Sequence, residues 1–163
     1  MEDAFHPTEG AVRWRRLELV RAAWGVAMLL RPGPILSAVD TGGDSTMIVV
    51  GRVLGARHLT QAVLSGARPS PEILAMGVWV DAVHALCALG LAAVSPSRTG
   101  AGVGDAVGAV GWAAFGYHDL TNPRSIVPAG SRRRDAMARW TLARVPAGGP
   151  LLDRCDRESR RTR

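Results

Sequence analysis

Residues 73–94 read ILAMGVWVDAVHALCALGLAAV, and the fold turns on how this stretch is read. It runs 22 residues between two turn-forming clusters, Pro69-Ser70-Pro71 and Ser95-Pro96-Ser97. Its ionisable side chains are Asp81 and His84. Three apart on a helix, they share one narrow stripe and leave the rest of the circumference apolar. A helix in a soluble bundle keeps a polar face over roughly half its circumference. At ~1.5 Å per residue the stretch reaches about 33 Å, enough for a hydrocarbon layer of ~30 Å. It therefore predicts a membrane-spanning helix.

Three further apolar segments flank it, at residues 17–30, 47–64 and 101–117. Arg31-Pro32-Gly33-Pro34 closes the first, and Gly- and Ser-rich runs separate the others, as helix stops do. The last carries one charge, Asp105. The segment at 47–64 is the most polar, with Arg52, Arg57 and His58. Each central Arg costs roughly 2.5–3.5 kcal/mol on insertion, so this helix needs partners. The expectation is an all-α, four-helix transmembrane bundle. Residues 1–16 form a cytoplasmic N-terminal segment and 17–118 the four-span domain. Residues 119–163 form a basic cytoplasmic tail, part interfacial helix and, beyond Pro146, disordered.

Charge placement sets the expected orientation. All 20 basic residues are Arg, against 14 acids, for a net charge of +6. Eleven of them follow residue 120. A basic tail directly behind an apolar segment favours anionic lipid over nucleic acid. Arg13, Arg15 and Arg16, then Arg68, then the Arg-rich tail fall on one side of four spans. The positive-inside rule puts both termini in the cytoplasm of a multi-pass cell-membrane protein. Residues 1–16 mix acids and bases, unlike a signal peptide. Around Met137 and Trp140 the tail is ringed by Arg132, Arg133, Arg134, Arg139 and Arg144, as in a helix lying on an anionic leaflet. The composition excludes a disulfide scaffold, since Cys87 and Cys155 are the only cysteines.

Ionisable groups inside spans pair or serve a function. Counted from the inner ends, Arg57 and Asp81 are level, and so are Arg52 and Asp105. Glu18 and Arg21 stand three apart on the first helix. His58, Gln61 and His84 add donors and acceptors. Two readings stay open: ion pairs that pin helix register, or a polar cavity for a proton, ion or small anion. No metal is expected, because Asp81-x-x-His84 lacks a second such motif and nearby arginines repel cations. No cofactor is expected either. Gly51-x-x-x-Gly55 and Gly104-x-x-x-Gly108 are suited to close helix approach, within the chain or in a homo-oligomer. Neither a phosphate-binding loop nor a nucleophile elbow occurs. The leading functional expectation is a non-enzymatic structural or accessory membrane protein. The alternative is a small transporter, channel or ligand-binding membrane protein.

The run Arg52-Val-Leu-Gly55-Ala-Arg57-His58, followed by Trp79-Val-Asp81-Ala-Val-His84, resembles small actinobacterial four-helix membrane proteins with an Arg-x-x-Gly-x-Arg signature in one span. The likeness covers residues 13–118. It implies four spans and brings no activity with it.

Overall fold

The computed structural model describes residues 15–37, 45–66, 69–122 and 133–161. Among the described residues the regular structure is all helical, without a strand. In chain order the helices are α1 (Arg16–Leu30), α2 (Pro32–Ser37), α3 (Ser45–Gly66), α4 (Pro71–Val94), α5 (Thr99–Leu120), α6 (Arg133–Leu142) and α7 (Gly148–Arg161), with a 3-10 turn at Pro96–Arg98.

The boundaries have local causes. Pro32 has no N–H to continue α1, and the chain restarts there as α2. α4 begins at Pro71, where the missing N–H is harmless, and the Ser70 side chain accepts from the Ile73 N–H at 3.3 Å. Pro96 opens the 3-10 turn that reverses the chain into α5.

Two antiparallel pairs dominate. α1 packs on α3, and α4 packs on α5, while α3 and α4 touch only locally. Small residues make both contacts close. A Cβ on Gly55 would lie 2.7 Å from the carbonyl oxygen of Gly25, and one on Gly25 would lie 2.8 Å from that of Gly55. A Cβ on Gly51 would meet Pro32 and Leu36 of α2. Between α4 and α5, Gly102 sits against the Ala88 carbonyl and Ala92. The expectation for Gly51 and Gly55 thus meets a contact inside the chain, which leaves them no surface for a second copy. Gly104 and Gly108 make no such contact within the chain: both are exposed, and a Cβ on Gly108 would have nothing within 4 Å.

α6 and α7 form a cap on the first turns of α4. Leu74, Ala75, Leu120, Leu142 and Cys155 are its buried core, with Met76, Trp79 and Leu152 packed around them. Trp79 Nε1 donates to the Pro146 carbonyl at 2.8 Å, and Ser70 Oγ bonds Asp135 at 2.7 Å. The tail beyond Pro146 is helix where composition predicts disorder. Leu151, Leu152 and Cys155 fall on one face of α7 at helical spacing and gain an apolar partner in α4, which local composition does not reveal.

Away from the cap, burial is inverted. Glu18, Arg21 and Asp81 are 2%, 3% and 1% exposed, while Leu86 and Val107 are each 68% exposed. Leu19, Val53, Val63, Leu89, Val103 and Phe115 also face outward. Of the described helices, one, α4, is long and apolar enough to cross a membrane by length and composition, and only 33% of its apolar stretch is buried. α1 has 15 residues, α3 carries Arg52 and Arg57, and α5 is rich in Gly and Ala, which lowers their apolarity.

Candidate functional site

A buried polar network is centred on Asp81. α4 directs Asp81 between the two helix pairs. Arg57 Nη2, from α3, donates to Asp81 Oδ1 at 2.6 Å. Arg21 Nη2, from α1, donates to Asp81 Oδ2 at 3.0 Å. Gln61 Nε2 lies 3.4 Å from Oδ1. One carboxylate therefore ties three helices together. The depth match between Arg57 and Asp81 corresponds to this contact, and Arg21 also pairs within its own helix, its Nε 3.5 Å from Glu18 Oε2.

The network extends to residues that sequence reasoning missed. Arg15 donates to Glu18 at 3.1 Å and to Asp119 at the C-terminal end of α5. Trp112 of α5 takes the Arg21 guanidinium on its face, Cζ 4.9 Å from the ring centroid. Three guanidiniums, Arg15, Arg21 and Arg57, thus face three carboxylates, Glu18, Asp81 and Asp119, and formal charge closes. Arg15 and Asp119 stand at helix ends, where a charge reads as ordinary solvent exposure. The void beside the network is about 10 Å³, roughly one water. That is too small for an ion with a hydration shell.

The second expected ion pair does not form. Arg52 is exposed on the outside of α3 and has no ion-pair partner among the described residues. Asp105 instead lies across from His84, Oδ2 to Nε2 2.8 Å. Depth counting from helix ends does not register rotation about the axis, and α3 turns Arg52 away from α5. Asp81 and His84, although three apart, reach different partners.

His58 leaves the ion network altogether. It is 4% exposed, its ring centroid is 5.9 Å from that of Trp112, and its Nδ1 has no hydrogen-bond partner among the described residues. Above it the two helix pairs diverge around a cleft of about 990 Å³. Gly104, Gly108 and Gly111 form one wall, and Trp24, Trp112 and Phe115 contribute aromatic surface. His58, His84 and Asp105 bring polar atoms to a largely apolar lining, and Arg16 and Arg98 add a guanidinium each. The glycines predicted to pack helices together are thus what keeps this space open.

In the tail, Met137 and Trp140 share an exposed face, with the Arg144 guanidinium 4.1 Å above the Trp140 ring. Arg133 is exposed, and Arg134 donates to the Leu64 carbonyl. Arg139 corrects the lipid-facing expectation: it bridges Asp156 at 2.5 Å and Glu72 at 3.4 Å. The Asp156 hydrogen bond raises its pKa further. Arg132 lies outside the described residues.

No family model matches the chain, and no curated protein or solved structure matches it.

Proposed function

We propose that the chain is a multi-pass membrane protein with a structural or accessory role, α1, α3, α4 and α5 spanning the bilayer of the cell membrane. The observation that carries this reading is the inverted burial: Asp81, Arg21 and Glu18 inside, Leu86, Val107 and their neighbours outside. In water that arrangement costs both the desolvation of charge and the exposure of apolar surface. In a hydrocarbon layer both terms change sign of preference. The Asp81 network supports a structural role for the charges, since its formal charges balance and the void beside it leaves no room for a solute. Both termini belong to the cytoplasmic side, where the α6–α7 cap presents Met137, Trp140 and Arg133 to anionic headgroups. Arg52 stands seven residues from the outer start of α3, about 10 Å along the axis. A snorkelling guanidinium covers that distance in good part.

The test is accessibility in intact cells. On a background with Cys87 and Cys155 replaced by Ala, a cysteine at the exposed position Ser97 reacts with a membrane-impermeant thiol reagent from outside. One at exposed Arg157 reacts only after lysis. Labelling of Arg157→Cys in intact cells reverses the orientation, and extraction of the protein by carbonate without detergent removes the membrane reading.

A second reading, ligand binding between the helix pairs, is favoured by one specific observation, the cleft above His58.

A further inference from the structure

We infer that the cleft between the α1–α3 and α4–α5 pairs is a binding site for a neutral, membrane-dissolved amphiphile, its hydrogen-bonding head held at His58 and the His84–Asp105 pair. The site exists only if these helices stand in a bilayer, so it rests on the membrane reading above.

Four features select this class of ligand. The cleft measures about 990 Å³, at the upper end of small-molecule sites. Its walls are Gly104, Gly108, Gly111, Trp112 and Phe115 of α5 facing Trp24 of α1, a largely apolar surface that suits an apolar chain. Its polar groups lie deep. His58 stands eight residues from the inner end of α3, about 12 Å, and His84 ten residues from the outer end of α4, about 15 Å. A phospholipid keeps its headgroup at the interface and leaves these groups unused. A lipid with a hydroxyl or carbonyl head can carry its polar atom to that depth when a partner is waiting. His58, 4% exposed with an unpartnered Nδ1, is such a partner. Charge acts at the same depth: the Asp105 carboxylate, 2.8 Å from His84, repels an anionic head placed beside it, while the cleft's guanidiniums, Arg16 and Arg98, stand at the start of α1 and just before α5, away from His58 and His84.

The experiment uses the full chain in nanodiscs and its own tryptophan fluorescence, Trp24 and Trp112 lining the cleft. The probe is a fatty alcohol brominated at mid-chain, which quenches nearby indole. Quenching is expected to saturate at low mole fraction of the alcohol. Gly108→Leu should abolish the saturable part. Nothing lies within 4 Å of a Cβ there, so the new side chain enters the cleft without disturbing the fold. Val107→Leu, on the neighbouring outward face, should leave the saturable part intact. His58→Ala and His84→Ala should each weaken apparent affinity about three- to tenfold, the value of one buried hydrogen bond. The correspondingly brominated fatty acid should quench without saturation. Quenching linear in alcohol and identical in all variants overturns the proposal. Equal saturation by the acid overturns the neutral-head assignment. A change of oligomer mass in Gly108→Leu by light scattering also overturns it, making the cleft a seat for a second copy. A brominated phospholipid separates the two readings: if it quenches the exposed Trp24 while the alcohol never saturates, the membrane reading stands and the site fails. If neither quenches, both fail.

Discussion

Asp81 is the residue on which the network depends, because its two oxygens serve Arg57 and Arg21 from different helices. Removing it leaves two guanidiniums facing each other with their shared anion gone. Asp81→Ala is expected to cost about 3–5 kcal/mol, read from thermal or denaturant unfolding in nanodiscs. Arg57→Ala should cost less, since Arg57 is partly exposed and Asp81 keeps Arg21. A double-mutant cycle over Arg57 and Asp81 should give a coupling of roughly 1–3 kcal/mol; strict additivity would show that the two do not interact. Arg52 differs from Arg57 by one and a half turns and by its surroundings. Its substitution by Leu should leave stability unchanged or raise it, because no described carboxylate is orphaned.

At the scale of elements, identical chemistry gives opposite outcomes on two helix faces. Gly55→Leu drives a side chain into the Gly25 carbonyl and forces α1 from α3, at about 1–3 kcal/mol or more, because the obstacle is backbone and cannot repack. Gly104→Leu, on an exposed face bordering the cleft, should shift the melting temperature little. A melting temperature lowered equally by both would mean that α5 packs closely there after all. The same small-xxx-small spacing, Gly51/Gly55 and Gly104/Gly108, therefore has no single meaning. It permits approach only where an opposing helix arrives.

At the scale of the molecule, the cap couples the tail to the bundle through Cys155. Burial pushes its thiol from an ordinary 9.0 up to about 12. The folded state therefore favours the protonated form more than the unfolded chain does. That contribution is fully present below pH 9 and is lost as pH rises from 9 towards 12. The cap should accordingly loosen in alkali, seen as a change in Trp79 emission, since Trp79 holds the Pro146 carbonyl. Cys155→Ala should remove that alkaline loss while leaving the neutral-pH spectrum nearly unchanged. An unaltered alkaline transition in this variant would place its origin elsewhere.

The helical class and the main helix positions follow from local sequence. Apolar runs between proline- and glycine-rich stops suffice, because helix hydrogen bonds are local and Ser70-Pro71 or Arg31-Pro32 act within one turn. Arg57 facing Asp81 was legible because counting along both helices from their shared connection compares depth, although α3 and α4 then touch only locally. What the tertiary structure alone decided is rotation and company. Whether Arg52 or His84 meets Asp105 depends on how α3 and α5 turn about their axes, a variable absent from depth. That Arg15 and Asp119 close the charge balance depends on the start of α1 meeting the end of α5. That residues 148–161 fold depends on α4 offering an apolar face to Cys155 and Leu152. The cleft follows from where the two helix pairs part, a property of packing between elements that no single stretch of the chain encodes.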